Sequence, residues 1–288
     1  MNPLTIKQTE PNVVVVNFDD VSSGWEQWVM LSSDRHHDSP YCDRDKERRH
    51  LEKAKKHDAL IIDAGDVFDA MQGQYDPRRS LDNVREEDVG EDYLDRLVEH
   101  AARDYTPYAE HWLVMGRGNH ETDVRKHNGT DLTNRLVLKV RQAISENSIS
   151  VGGYGGWVKF VFRINQTKSQ SCNIKYFHGR STRAPVTKGV IQTNRQAVIF
   201  PDADIVVNGH NHESYIVQQP RERLTLHGNI ARDHIDFVRC PGYKDVWQTM
   251  KGEIGFEAQL GEPKITGCAW IRFYYQNGVA REITLDTS

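Results

Sequence analysis

The 288-residue chain lacks the features that would place it outside the ordinary globular classes. Its four cysteines (Cys42, Cys172, Cys240 and Cys268) are far apart and form no CxxC pair. That argues against a disulfide scaffold or a zinc ribbon, and for reduced thiols. No apolar run approaches the roughly 18–20 residues of a membrane span. Residues 1–11 are polar and lack the apolar stretch of a signal peptide, so a cytoplasmic protein with no membrane role is expected. Neither charge dominates: 37 Lys and Arg against 41 Asp and Glu leave a net charge of −4. This excludes a globally basic nucleic-acid coat but leaves room for a local basic patch. There is no internal repeat and no low-complexity linker. The chain is therefore read as one domain over 1–288, long enough to bury its own core.

Aliphatic runs and helical patterns alternate through the first two-thirds. Strands are predicted at 13–18, 25–31, 59–62, 112–115, 157–164, 173–177 and 204–207. Helices are predicted at 43–57, 81–103 and 132–144. The first is charged and reads as exposed, with His50, His57 and, further on, His100 as solvated positions. The second is acidic, with eight carboxylates against two arginines between Asp82 and Glu99. Beyond Glu213 the helical signals fade. Short strands at 215–217 and 224–226 and a hairpin around Asn277-Gly278 make 216–288 a mostly β completion. The pattern argues an α/β layered domain ending in antiparallel strands.

Five of the apolar runs are followed at once by polar residues that can hold a metal. WVML leads to Ser32-Ser33-Asp34-Arg35-His36, and ALII to Asp63-Ala64-Gly65-Asp66-Val67-Phe68-Asp69. WLVM leads to Gly116-Arg117-Gly118-Asn119-His120-Glu121, NIKYF to His178-Gly179, and DIVV to Asn208-Gly209-His210-Asn211-His212. Ligands of open α/β sheets bind outside the carboxyl ends of the strands, so these five ends are expected to converge. Asp, Asn and His without Cys suit Mn, Fe, Zn or Co rather than Ca or a thiolate zinc site. The ligands outnumber what one ion needs. Two ions about 3.5–4 Å apart would use them, with Asp66 as the bridge.

The order D-x-H, G-D-x-x-D, G-N-H-E, H-G, G-H-x-H, spread over about residues 25–215, resembles the calcineurin-like metallophosphoesterase superfamily. The resemblance implies a four-layer α-β-β-α sandwich, two mixed β-sheets flanked by helices. It implies one metal position from Asp34, His36, Asp66 and His212, and a second from Asp66, Asn119, His178 and His210. D-x-H spacing favours His36 over its neighbour His37. His120, held by Asp69, would protonate the leaving oxygen or stabilise the transferring phosphoryl group. The cofactors implied are two divalent ions, Mn²⁺ foremost, and the reaction is phosphoester hydrolysis by a metal-bridging hydroxide.

Local cues address the substrate. Gly-Asp-Val-Phe-Asp resembles the same stretch of the SbcD-type DNA repair nucleases. Ala70 stands where serine/threonine phosphatases carry Arg, which speaks against a protein phosphatase. The leading expectation is a phosphodiesterase, with DNA as a candidate substrate. The alternatives are a phosphomonoesterase acting on nucleotides or small phosphate esters, and a non-catalytic metal-binding module. Arg180 and Arg183 open a basic stretch after His178 and are candidate substrate contacts. Arg35 and Arg117, each beside a candidate ligand, either reach substrate or pair with a nearby carboxylate. Oligomeric state is not legible.

Overall fold

The computed structural model describes residues 4–70, 84–144, 149–180, 189–225, 228–245 and 264–288. β-Branched and aromatic residues at alternate positions fill a half-buried pleat, and this pattern makes the strands. In β2 (Val13–Phe18) it buries Val14, Val16 and Phe18. One seven-stranded sheet runs β1 (Leu4–Glu10), β2, β7 (Gly155–Arg163), β8 (Ser169–Phe177), β9 (Ile205–Asn208), β11 (Ile230–Arg239), β10 (Tyr215–Leu224). A six-stranded sheet runs β13 (Val279–Asp286), β12 (Cys268–Tyr275), β3 (Glu26–Ser32), β4 (Leu60–Asp63), β5 (Trp112–Met115), β6 (Ser150–Val151). Both are mixed. β3, β4, β5 and β6 are mutually parallel, as are β8, β9 and β11, while hairpins such as β7–β8 and β12–β13 are antiparallel.

The two sheets share one apolar layer. Val16, Phe18, Phe160, Phe162 and Val207 from the first meet Val29, Leu31, Ile62, Leu113, Ile271 and Phe273 from the second. Phe18 stacks on Phe160 and Phe162, and Trp25 closes their edge. Helices α1 (Arg44–Lys56), α2 (Tyr93–Tyr105) and α4 (Leu132–Arg141) bury Leu51, Leu97, Val98, Leu136 and Val137 against the outer face of the six-stranded sheet. Helix α3 (Asn119–Asn128) starts at the end of β5. On the other outer face, a small cluster of Val206, Ile235 and Phe237 packs with Ala197 of α5 (Val190–Ile199). The architecture is thus two mixed sheets flanked by helices, with the outer layers unequal.

Several sequence expectations need correction. The helix predicted over 81–103 begins later: a short 3-10 turn at Glu86–Asp88 precedes α2, and residues 81–83 lie outside the described ones. Helices α3 and α5 and strands β1, β6 and β11 were not foreseen, while β12 and β13 are the two arms of the expected hairpin at Asn277-Gly278. His50 is buried rather than solvated, with Nδ1 2.9 Å from Tyr243 Oη. His57 packs tilted against Trp28, ring centres 4.6 Å apart, and His100 lies 2.7 Å from Asp88. All four cysteines are free and buried. No helix of the described residues is long and apolar enough to cross a membrane.

The core also holds a cation. Arg35 is fully buried and donates to Asp63 (2.6 Å), Glu47 (2.7 Å) and Ser32 Oγ (2.7 Å), with Trp112 4.8 Å from its guanidinium carbon. It joins β4 to α1 and is not available to a substrate. Arg35→Met would leave two buried carboxylates unpaired. A loss of about 3–5 kcal/mol in urea unfolding is expected; a loss below about 1 kcal/mol would show that the network contributes little.

Candidate metal centre

Parallel pairing sets the strand ends level. Ser32 pairs with Asp63, Asp63 with Met115, and Phe177 with Asn208, so the five polar loops emerge together. Backbone bonds then lace them: Asp34 N to Gly65 O (2.9 Å), His36 N to Asp66 O (3.1 Å), and Gly209 N to His178 O (2.9 Å). Side chains add to this. His210 N donates to Asp34 (2.7 Å), and His120 N to Asp66 Oδ1 (2.9 Å). A Cβ at Gly118 would collide with the Asp66 carboxylate, and one at Gly209 with Ser33 and Asp34, so both approaches require glycine.

Three overlapping groups result: Asp34, His36 and His212; His36, Asp66 and His120; Asp66, His178 and His210. Within each, one ligand atom per residue lies within 4.8 Å of the others. Metal–N/O bonds of about 2.0–2.2 Å put ligand atoms on one ion no further apart than about 4.4 Å, so small adjustments suffice. Asn119 Oδ1 is 3.1 Å from His178 Nε2 and 2.6 Å from His210 Nδ1, which adds it to the third group. Asp66 belongs to two groups, with Oδ2 3.0 Å from His178 and 3.9 Å from His120. All seven expected ligands are therefore together.

Two observations test whether a metal suits this cluster. His36 is buried, yet neither ring nitrogen has a hydrogen bond; Nδ1 is 3.1 Å from Asp69 Oδ1 but out of line for one. A buried imidazole with only an out-of-line carboxylate at one nitrogen and nothing at the other is costly unless something coordinates it. Second, Asp34, His36, Asp66, His210 and His212 all have left-handed φ, between 46° and 79°. That conformation costs roughly 1–2 kcal/mol per non-glycine residue, and such strain gathers at functional sites. No cysteine belongs to these groups, so oxygen and imidazole donors define the chemistry. The residues fit borderline divalent cations.

Geometry also permits His120 as a ligand, but its Nδ1 is spent on the Asp69 carbonyl at 2.6 Å, leaving only Nε2 facing the cluster. Asp69 meets His120 mainly through that carbonyl; its carboxylate is 3.6 Å from His120 and instead faces His36 and Lys244 Nζ (2.9 Å). His37 turns away to Asp104 (3.0 Å). Arg117 is held by Asp131 (2.7 Å) and the Gly152 carbonyl (3.0 Å). Arg180 is exposed beside Gly179, and Arg183 lies outside the described residues.

The sequence reading missed the groups that fix the loops. Glu121 is buried and accepts from the backbone amides of Gly118 (2.8 Å), Phe68 (2.9 Å) and Asp66 (3.1 Å), clamping two ligand loops. Asp38 does the same for Asp69 N (2.6 Å) and Ala70 N (2.8 Å). The Glu at the end of G-N-H-E was a signal that could have been read this way; Asp38 and Lys244 carry none. Burial, then repulsion from Asp66, pushes Glu121 up to about 8. Burial opposes ionisation of Asp66, but the neighbouring histidines hold it far below the usual carboxylate range. Burial would lower His178, yet Asp66 outweighs it and raises the imidazole to about 9.

No family model matches the chain, and no curated protein does. Among solved structures it is similar to Vacuolar Protein Sorting 29 from Cryptosporidium parvum, at 12% identity over 92% of this chain and 100% of that one, TM-score 0.39. It is also similar to a predicted phosphoesterase from Streptococcus pneumoniae, at 12% identity over 91% and 100%, TM-score 0.33. A third is GAP50, the anchor in the inner membrane complex of Plasmodium, at 11% identity over 90% and 84%, TM-score 0.42. Likeness this slight fixes neither the family nor the activity of the chain.

Metal loading should be proton-coupled. A cation takes neutral imidazole, while His178 in the metal-free protein keeps its proton up to about 9. Raising pH toward 9 removes that competitor, so Mn²⁺ affinity is expected to rise by about tenfold per pH unit between 6.5 and 8.5. Titration calorimetry in two buffers of different ionisation enthalpy would read the released proton. Flat affinity would place His178 outside the metal ligands.

Proposed function

We propose that the protein is a calcineurin-like metallophosphoesterase that hydrolyses a phosphodiester at a binuclear centre. The observation that carries this reading is Asp66, shared between two sets of buried Asp and His ligands with His120 beside both. Asp34, His36, Asp66 and His212 would hold one ion, and Asp66, Asn119, His178 and His210 the other. A pair of divalent cations, Mn²⁺ first among the candidates, supplies when bound Lewis acidity toward phosphoryl oxygens and a nucleophile from water near neutral pH.

The remaining steps belong to the chain. Asp66 and Asp34 stay ionised because imidazoles surround them. His120 Nδ1–H donates to the Asp69 carbonyl, which fixes the ring and leaves Nε2 as the atom that delivers a proton to the departing alkoxide. Lys244 keeps Asp69 charged, and Asp69 in turn orients His36. Water between these groups is restricted by their burial, which strengthens each interaction with a developing charge.

Phe68, the residue behind the resemblance to DNA repair nucleases, packs fully buried in the core under the helices. That cue therefore speaks to packing rather than to substrate, and DNA stays one candidate diester among several. Purified protein loaded with Mn²⁺ should cleave bis(p-nitrophenyl) phosphate faster than p-nitrophenyl phosphate, with single-stranded DNA assayed alongside. A higher monoester rate selects the phosphomonoesterase; no metal-dependent turnover of any ester selects the metal-binding module.

Two variants separate binding from chemistry. Asp66→Asn should lower the content of both metals in elemental analysis. His120→Ala should retain the metals and lose about 10²–10⁴ in kcat, as for a lost general acid. An unchanged two-ion content in Asp66→Asn would remove Asp66 from the bridging position.

A further inference from the structure

Arg239, at the end of β11, is 1% exposed, and among the described residues it has no carboxylate within ion-pair distance. Its Nη1 donates to the Gly209 carbonyl, and among the described residues its Nε is buried without a partner and its Nη2 makes no hydrogen bond. Tyr215 lies against it, with the ring centre 5.8 Å from the guanidinium carbon. A buried guanidinium without a counter-ion is expensive, and every other fully buried arginine here is paired: Arg35 holds two carboxylates.

The free face of Arg239 points at the start of α5. Gly189, with φ of 87°, is the N-cap of that ten-residue helix and offers no side chain to its first amides. A Cβ built on Gly189 would lie 3.6 Å from each of three atoms: Arg239 Nη2, Asn211 Nδ2 and Tyr215 Oη. Neither Asn211 Nδ2 nor Tyr215 Oη donates a hydrogen bond among the described residues. A cation, an amide N–H₂, a hydroxyl and the positive end of a helix thus converge on one spot, which is the donor pattern of an anion site. The spot adjoins the candidate metal ligands. Asn211 stands between His210 and His212, and a Cβ on Gly179 would lie 3.2 Å from His210 Cβ and 3.3 Å from Arg239 Nη1.

We propose that Arg239, Asn211, Tyr215 and the N-terminus of α5 form an anion subsite that takes a second phosphoryl group of the substrate, beside the one being hydrolysed. The reading of this group as part of a substrate rests on the phosphoesterase assignment; the binding of an anion does not. The subsite favours esters that carry two phosphoryl groups over those that carry one.

The first test uses full-length protein stripped of metal with EDTA and titrated calorimetrically with inorganic pyrophosphate. One pyrophosphate per chain is expected, weakened about tenfold or more in Arg239→Gln and severalfold in Asn211→Ala and Tyr215→Phe, the size of a lost charge-assisted bond. Equal affinity in wild type and a natively melting Arg239→Gln would overturn the subsite, as would no binding by wild type. Should Arg239→Gln fail to fold, Asn211→Ala combined with Tyr215→Phe decides, since unchanged affinity there overturns it equally. The second test uses Mn²⁺-loaded protein and compares thymidine 5′-(p-nitrophenyl phosphate) with its 3′-phosphorylated form. A lower KM for the 3′-phosphorylated ester, abolished in Asn211→Ala, supports the substrate assignment, and equal KM overturns it. Turnover of neither ester, with pyrophosphate still bound in the first test, defeats the phosphoesterase reading while leaving the anion site in place.

Discussion

Six carboxylates are buried within the loops at the ends of β3, β4 and β5: Asp34, Asp38, Asp63, Asp66, Asp69 and Glu121. Holding these acids in a dry setting, where burial and repulsion from Asp66 push Glu121 up to about 8, is the constraint the rest of the structure answers. Four of the six are answered by this chain. Arg35 neutralises Asp63, Lys244 neutralises Asp69, and backbone amides satisfy Asp38 and Glu121. Asp34 and Asp66 differ: their neighbours are amides and imidazoles, and imidazoles balance carboxylates only while protonated. The same two residues anchor the ligand groups. Protons on the imidazoles and a bound cation would fill the same role. Burial would lower His178, and the charge of Asp66, outweighing burial, is what raises it to about 9.

Much of this was legible because parallel, doubly buried strands spell themselves out. LIID, WLVM and IVVN are buried at all four positions, so their apolar residues read as unbroken runs, and the polar residue that closes or follows each run has to be at the sheet's end. Convergence of the ligands then follows from topology alone. Helix α5 was missed for the opposite reason. The residues it buries are Thr193 and Gln196, while Val198 and Ile199 are 81% and 65% exposed, so no apolar stripe marks a core face. Strand β11 carries Arg232, Asp233 and His234 in its first half and turns mostly apolar only in its second, which hides its start. His50 was misplaced because α1 is charged nearly all round, and only contacts with Tyr243 and Asp286, distant in sequence, bury it.

The arginines show where sequence position misleads. Arg35 and Arg117 flank candidate ligands, yet both are consumed by carboxylates, and their placement serves the scaffold. Arg239 comes long after the last motif and has no flanking signal. It reaches the centre because β11 pairs in parallel with β9, setting Arg239 opposite Asn208, one residue before the loop that carries His210 and His212. A strand partner, invisible in the local sequence, delivers the guanidinium.

That pairing gives the Asn208–His212 loop two faces. His210 and His212 turn toward Asp34 and Asn119, while Gly209 O and Asn211 turn toward Arg239 and the start of α5. Left-handed φ at His210 and at His212 makes the division possible, since successive side chains can leave the loop on different sides. Straightening the loop would relieve strain at both histidines, but it would also take the Gly209 carbonyl from Arg239 and the His210 amide from Asp34. The hydrogen bonds that hold the strain are thus the ones that join the cluster of carboxylates to the buried cation, and neither half of the site can relax without disturbing the other.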